Sequence, residues 1–255
     1  MFVEDAVKKG AVLINNAKVQ SVIRQNGKAV GVRYRKNGRT LNADAPLVIL
    51  SAGGIGTPQI LRESGISRAG YDFFYDPLFV VKGVVKDNLG GDEIPMAAGV
   101  HMEDEGYLMT DMAMPRALNS LSALQSLKLN NLFTHPSTLQ IMIKIKDELG
   151  GSLTDKGGVR KGLTHADKRK FAWGLSKARA VLKNAGAKDI HKGWYMAAHP
   201  GGTAKIDDVV DRNLMTEIDN LYVCDCSVVP EAWGLPPTFT LLCLAKRLAR
   251  HLGEK

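Results

Sequence analysis

The N-terminal part of the chain alternates apolar and polar residues around two tight turns. Residues 18–24 and 29–34 are rich in β-branched side chains, and they flank Asn26-Gly27. An Asn-Gly pair between two such runs is typical of a two-residue β-hairpin. A second pair, Asn37-Gly38, predicts another turn and a further strand. Upstream of the hairpin, the pattern predicts a short helix and then a buried strand at Val12-Leu13-Ile14.

The next segment has a different pattern, in which a continuous apolar run ends in glycines. Residues 45–51 lead into Gly53-Gly54 and then into a helical pattern that contains Ile60 and Leu61. A buried strand, a glycine turn and a helix in this order indicate an α/β nucleotide-binding sheet. The glycines do not form G-x-G-x-x-G, and Pro58 stands where the helix is expected to begin. Both a cofactor site and a plain strand-to-helix connection therefore fit this turn.

The middle of the chain returns to alternation and then to a long helical pattern. The alternating runs predict a mostly antiparallel sheet, with strands near 79–85, 96–102, 107–114 and 139–145. The methionines in these runs (Met96, Met102, Met109, Met112, Met114) suit either an apolar substrate pocket or core packing, and we favour core packing. Thr164 to Asp167 is typical of a capping box, and Gly186 is typical of the end of the helix that follows.

The last third of the chain carries the most concentrated chemistry. His199 lies in the backbone-restricted sequence His-Pro-Gly-Gly, where a histidine serves either as a general base or as a structural residue. Asp225 and Ser227 follow an apolar strand, a common place for ligand contacts in α/β sheets. Cys224 and Cys226 do not predict a zinc site, because Cys243, the remaining cysteine, lies in an apolar helical run. That C-terminal helix is predicted over 241–252.

Composition excludes several classes of protein. The 255 residues are 45% apolar and 24% charged, which is ordinary for a globular chain. The formal net charge is +8, but the basic residues are scattered and aromatic residues make up 6%, so nucleic-acid binding is not expected. No run of eighteen apolar residues predicts a membrane span. Three cysteines form no disulfide framework, which favours a reducing cytoplasm.

Three blocks together resemble the C-terminal portion of the glucose-methanol-choline (GMC) family of FAD-dependent oxidoreductases. Residues 48–66 (VILSAGGIGTPQILRESGI) are similar to the second signature of that family. The sequence HPGGT at 199–203 matches the block that holds the catalytic histidine. Residues 220–230 (NLYVCDCSVVP), followed by Gly234 and Pro237-Thr238, match the closing block that contacts the flavin.

This resemblance implies the oxidation of an alcohol or polyol CH–OH group by hydride transfer to flavin N5, with His199 as the base. It also implies that Val19 contacts the adenine end of FAD through its backbone. The remaining implied FAD contacts are Ala52, Gly53, Asp225, Cys226, Pro237 and Thr238. The implied partner is a small-molecule alcohol.

Two departures from the family pattern qualify these expectations. Pro236 stands where the family has an Asn or a second His, so the usual partner of the catalytic histidine is missing. The G-x-G-x-x-G turn is also absent from these 255 residues. We therefore expect an incomplete FAD-binding unit, whose N-terminal half is a separate chain or was lost by truncation. A vestigial module without redox chemistry is the alternative.

The predicted fold class is α/β (α+β overall), an incomplete Rossmann-like FAD domain combined with a substrate domain. The predicted boundaries assign residues 1–69 and 191–255 to the FAD-binding domain. Residues 70–190 then form the inserted substrate domain, with its mainly antiparallel sheet.

Overall fold

The computed structural model describes residues 2–86, 93–155 and 157–254. Its helices are α1 (Phe2–Lys8), α2 (Gly53–Glu63), α3 (Arg116–Gln125), α4 (His165–Asn184) and α5 (Thr238–Gly253). Its strands are β1 (Lys18–Gln25), β2 (Lys28–Lys36), β3 (Arg39–Asp44), β4 (Val48–Leu50), β5 (Tyr71–Phe73), β6 (Pro77–Val84), β7 (Gly99–Met102), β8 (Tyr107–Asp111), β9 (Thr138–Ile145), β10 (Gly150–Leu153), β11 (Val159–Arg160), β12 (Lys188–Lys192), β13 (Met196–Ala197) and β14 (Leu221–Val223).

The predicted hairpin and the strand after it are confirmed as an antiparallel sheet in the order β1-β2-β3. Both Asn-Gly turns have positive φ at their two central residues, +50° and +79° at Asn26-Gly27 and +50° and +77° at Asn37-Gly38. This conformation matches the twist of the flanking strands, and asparagine and glycine adopt it at low cost. The sequence of each turn therefore fixes the register of this sheet locally.

The core of the α/β part of the chain is a pair of parallel strands, β4 and β14, which pack against α2 and α5. Leu50, Leu61 and Val223 lie in its cluster of buried side chains. The predicted strand at Val12-Leu13-Ile14 is wrong, because these residues form no strand and their side chains are 86%, 60% and 45% exposed. An apolar triplet becomes a strand when a neighbouring strand pairs with it. In the described residues, β4 is paired with β14 and not with this segment.

Helix α2 begins five residues earlier than Pro58 predicts, at Gly53, so the proline lies inside the helix. Proline has no N–H to donate to the carbonyl of Gly54, four residues before it. The hydroxyl of Thr203 donates to that carbonyl instead, at 2.8 Å. A distant segment thus satisfies the acceptor that the proline leaves open, and this lets the helix run through it.

The mainly antiparallel sheet predicted for the middle of the chain is confirmed. It has the order β12-β6-β9-β8-β7, with β13 also paired to β6. Helix α4 covers one face through Phe171, Ala178 and Leu182. The predicted capping box at the start of α4 is present, since Thr164 Oγ1 accepts from the Asp167 N–H and the Asp167 carboxylate accepts from the Thr164 N–H. The predicted domain boundaries stay a prediction.

The methionines support core packing, with one exception. Met114 is buried and Met112 packs beside it, on the sheet face away from α4. Met102 and Met109 pack on the face that α4 covers. Met96 is 55% exposed and packs in neither cluster. The methionines thus divide between two cores and do not line one pocket together.

Two lysines are buried on the sheet face away from α4. The register pairs Leu78 with Lys144, Val80 with Met142, and Lys82 with Gln140, so these residues alternate along the same face. Lys82 and Lys144 are 2% and 1% exposed. Lys82 Nζ donates to Asn119 Oδ1 at 3.0 Å. Burying an ammonium group is costly unless it is paired. The two lysines lie at opposite ends of this face, with apolar side chains between them.

The charge of Lys82 gives a testable dependence of stability on pH. Burial lowers the pKa of Lys82 to about 8. Because an unfolded lysine titrates at a higher pH, the unfolded chain binds more protons above pH 8. The free energy of unfolding is therefore expected to rise by about 2 kcal/mol between roughly pH 7 and 9.5. Urea denaturation over this range measures the rise.

Lys82→Met removes the titrating group. The free energy of unfolding is therefore expected to rise by about 2 kcal/mol more in the wild-type chain than in this variant. Lys86→Met alters an exposed lysine two residues after the end of β6 and serves as the matched control. Equal rises in the wild-type chain and in Lys82→Met would contradict the assignment of this titration to Lys82.

Candidate functional site

The site begins where the two parallel strands end. The carboxyl ends of β4 and β14 lie side by side, so Ala52 and Asp225, which follow these strands, come together. Asp225 Oδ2 accepts from the N–H of Gly53 at 2.9 Å and from the hydroxyl of Thr57, and its Oδ1 accepts from the N–H of Ser227 at 2.8 Å. The carboxylate therefore caps α2 from another segment.

Ala52 and Gly53 form the turn that the family resemblance predicts to lie beside FAD. Gly53 has φ of +78°, a conformation that favours glycine. A Cβ at Gly53 would have no heavy atom within 4 Å, so the turn borders open space. Ala52 is exposed at the same point. The geometry leaves room for a ligand at the start of α2.

The turn that contains His199 packs directly on the first turn of α2. A Cβ at Gly54 would lie 1.9 Å from the carbonyl oxygen of Pro200, so glycine is required for this contact. On its other side, a Cβ at Gly201 would lie 2.6 Å from the Sγ of Cys226. The backbone N–H of His199 donates to the carbonyl of Tyr75 at 3.2 Å. Three predicted site segments, around Gly53, His199 and Asp225, therefore form one continuous unit.

The imidazole of His199 is held at one edge by a buried ion pair. Lys144 Nζ lies 2.9 Å from His199 Nδ1 and 2.9 Å from Asp76 Oδ2. Asp76 Oδ2 lies 3.4 Å from the same ring nitrogen. The side chains of Lys144 and Asp76 are 1% and 2% exposed, whereas that of His199 is 31% exposed. The inner edge of the ring is thus fixed, and Nε2 lies on the opposite edge.

Burial dominates the electrostatics of this cluster. It lowers the pKa of Lys144, while the neighbouring charge of Asp76 opposes the change. Burial, followed by the charges of Asp76 and Asp225, raises the pKa of Cys226 to about 12. The Cys226 thiol therefore stays protonated at neutral pH and is a poor nucleophile. Its position against Gly201 gives it a packing role in the turn.

A large groove runs along β1, β4 and α2 and has a volume of about 1380 Å³. Val19 and Ala52, two of the predicted FAD contacts, both line it. Val19 pairs with Tyr34, and the ladder between β1 and β2 changes register immediately after it, between Val19 and Ser21. Pockets that hold small molecules and cofactors typically have volumes of about 300–1,000 Å³, so the volume of the groove is sufficient for a dinucleotide. The volume of the groove and the open space beside Gly53 are therefore compatible with bound FAD.

Pro237 and Thr238 lie at the beginning of α5. This helix packs through Leu241, one turn later, on a cluster that contains Cys226 and Phe74. Thr238 is exposed, and Pro236 is exposed just before it. The start of α5 is thus attached to the His199 unit, although no described hydrogen bond joins Pro237 or Thr238 to His199. The roles of these residues as FAD contacts stay a prediction.

Sequence reasoning missed Lys144 and Asp76. One signal for Lys144 was available, since it is a lysine within the apolar strand sequence IMIKI, at a position that alternates with Met142. For Asp76 the distinguishing feature is its unusual φ of +47°, which is visible only in the structure. In the described ranges, no group of three or more His, Cys, Asp or Glu side chains is placed to hold a metal ion. Across those ranges there is also no helix long and apolar enough to span a membrane.

Two family models, both described as GMC oxidoreductase, match residues 1–89 and 131–245. An uncharacterised protein of Methanocaldococcus jannaschii is 31% identical over 206 residues, which cover 80% of this chain and 52% of that protein. A long-chain-alcohol oxidase of Arabidopsis thaliana is 21% identical over 97% of this chain and 44% of its own length. The chain therefore spans about half the length of these curated relatives.

A solved structure shares the fold. An FAD-dependent oxidoreductase from Chaetomium thermophilum superimposes with a TM-score of 0.64, at 14% identity. The match covers 99% of this chain and 63% of that protein. A fold similar to that of this chain is thus part of a larger protein.

Proposed function

The chain belongs to the glucose-methanol-choline (GMC) oxidoreductase family, and from this premise we propose that it serves FAD-dependent oxidation of an alcohol. The substrate class is a small molecule with a CH–OH group, and His199 is the base that takes the hydroxyl proton. The long-chain-alcohol oxidase among the relatives supports this class of substrate.

One observation carries the proposal, the direct packing of the His199 turn on the first turn of α2. Thr203, four residues after His199, donates to the carbonyl of Gly54 at 2.8 Å. The same turn of α2 lies next to Asp225 and borders the groove through Ala52. A proton-accepting ring is thereby fixed relative to the turn that borders the cofactor groove, and such fixed geometry is what proton transfer requires.

The chain's own residues divide the work between binding and proton transfer. FAD, when bound, supplies the acceptor for the hydride that leaves the substrate carbon. The residues proposed to hold FAD are Val19, Ala52, Gly53, Asp225, Cys226, Pro237 and Thr238. His199 orients the substrate oxygen at Nε2 and accepts its proton there. Its inner nitrogen, Nδ1, is held by Lys144 and Asp76, which keeps the ring in one orientation.

The first test is the binding of FAD to the chain. Added FAD is expected to stay with the protein through gel filtration and to give it the visible absorbance of a flavin. Ala52→Trp fills the groove at an exposed position and is expected to weaken binding by at least tenfold. Ala117→Trp is the control, because it places the same side chain at an exposed position of α3 that does not line the groove. A colourless chain that rejects added FAD contradicts FAD binding by this polypeptide.

A second candidate function is that of a C-terminal subunit, which needs a separate N-terminal FAD-binding half. Exposed aromatic and aliphatic side chains on α5 favour it, since Phe239 is 79% and Leu242 50% exposed. Phe2 on α1 is 78% exposed as well. Apolar exposure of this kind is typical of a surface that another polypeptide covers. A clean, non-aggregating monomer on gel filtration that retains FAD by itself would count against this candidate.

We also propose a reducing compartment such as the cytoplasm. The support is that Cys224, Cys226 and Cys243 are all free thiols. Reduced cysteines are the usual state in a reducing environment.

A further inference from the structure

His199 lacks the side-chain partner that the family resemblance implies, and Lys144 contacts its ring. Pro236 has no side-chain donor, and it replaces the Asn or second His that the family resemblance implies at this position. Lys144 comes from a different element, β9, and its Nζ lies 2.9 Å from His199 Nδ1. It is 1% exposed and opposes Leu78 across the sheet, so no solvent contact explains its charge.

The protonation of Lys144 decides which nitrogen of His199 carries the ring proton. An ammonium group can only donate, so it requires a lone pair on Nδ1, and the neutral ring then holds its proton on Nε2. A neutral amine has a lone pair and can also accept, which allows Nδ1 to carry the proton and Nε2 to offer a lone pair. The second state is the one in which Nε2 can take a proton from a substrate.

We propose that Lys144 is the proton partner of His199, receiving the Nδ1 proton while Nε2 takes the proton of the substrate hydroxyl group. This inference rests on the proposed function. In this step the substrate O–H bond and the Nδ1–H bond break, and N–H bonds form at Nε2 and at Nζ. FAD, when bound, would accept the hydride that leaves the substrate carbon. Lys144 acts through His199 and is thus a positioning residue.

The ion pair with Asp76 completes the proton balance. After transfer, the imidazole is neutral, with its proton on Nε2, and the new charge lies on the Lys144 ammonium group. Asp76 Oδ2, at 2.9 Å, stabilises that charge. Asp76 Oδ1 is buried without a hydrogen-bond partner, so the carboxylate directs its paired oxygen at Lys144 and His199. The ring itself never has to hold a positive charge.

The other titratable groups around the pair leave this role to Lys144. Cys226, on the 3-10 turn after β14, stays a thiol because burial raises its pKa to about 12. Asp147, after β9, accepts from the N–H groups of Tyr75 and Asp76 and pairs with Lys161 at 3.2 Å. These contacts occupy Asp147, so its carboxylate is engaged elsewhere. Burial lowers the pKa of Lys144 and the charge of Asp76 opposes this change, so the neutral amine is more accessible than in an exposed lysine.

The test is the tautomer of His199 in the flavin-free 255-residue chain. Ring 15N chemical shifts distinguish Nε2–H from Nδ1–H, and His199→Gln identifies the signals. Between about pH 8, where imidazole is ordinarily neutral, and about pH 10.4, the ordinary pKa of lysine, the ring is expected to shift from Nε2–H toward Nδ1–H. One unchanged tautomer over this range overturns the proposal, and this measurement needs no further variant.

Matched variants assign the change to Lys144. The double variant Lys144→Met, Asp76→Asn removes both buried charges together and is expected to abolish the pH-dependent change. Lys82→Met removes the other buried lysine of the same sheet face and is expected to retain it. A change that persists in the folded double variant overturns the role of Lys144. Because no flavin is present, the two failures are distinguishable: a chain that shows the change but rejects FAD contradicts the proposed function, whereas an unchanged tautomer contradicts the role of Lys144.

Discussion

Replacing His199 by alanine is expected to lower turnover of the flavin-loaded enzyme by about 10²–10⁴, while flavin stays bound. The side chain is 31% exposed, and its inner edge contacts Lys144 and Asp76. The variant therefore removes the proposed proton acceptor, and His199 is not among the described residues that line the groove at Val19 and Ala52. Steady-state turnover and the flavin absorbance of the same sample measure the two properties separately.

His165→Ala is the matched control for this prediction. His165 is an exposed residue at the first position of α4, on the opposite side of the antiparallel sheet from the buried lysines. Its replacement is expected to leave turnover within about twofold of wild type, in line with the small effects of surface substitutions. Unchanged turnover in His199→Ala would remove this histidine from the mechanism.

The elements that the sequence predicts best are those whose determinants are local. The Asn26-Gly27 turn needs positive φ at both residues, and that requirement is written in two adjacent positions. The capping box at Thr164 and Asp167 likewise closes within four residues. The segment Val12-Leu13-Ile14 failed as a strand because pairing depends on a neighbour far along the chain. Local propensity gives no information on whether that neighbour is present.

The same distinction applies to the site. His199 and Asp225 could be predicted as candidates because glycines and a strand end mark them within short motifs. Lys144 was missed because 55 residues separate it from His199, and the contact arises from the path of β9 across the sheet. Asp76 lies still further from His199 in sequence. The motif thus predicted the candidate base, whereas only the folded chain shows that Lys144 and Asp76 contact its ring.

Gly54→Ala is expected to destabilise the chain by about 3 kcal/mol, because overpacking against backbone is hard to relieve. The added Cβ would lie 1.9 Å from the Pro200 oxygen and 2.4 Å from its carbonyl carbon. Neither atom can rotate away, so α2 and the His199 turn must separate. Thr203 then loses its bond to the Gly54 carbonyl, the acceptor that Pro58 leaves open. Urea denaturation measures the loss of stability.

Gly56→Ala tests whether this effect belongs to the contact or to the helix. Both glycines lie in α2, so each substitution brings the same gain of helix propensity, roughly 0.5–1 kcal/mol. A Cβ at Gly56 would meet the Cβ of the exposed Ala52 at 3.0 Å, a much smaller overlap than the 1.9 Å contact at Gly54. Gly56→Ala is therefore expected to stay within about 1 kcal/mol of wild type. Equal stabilities for the two variants would mean that the His199 turn does not rest on Gly54, and the junction that carries the proposed function would lose its support.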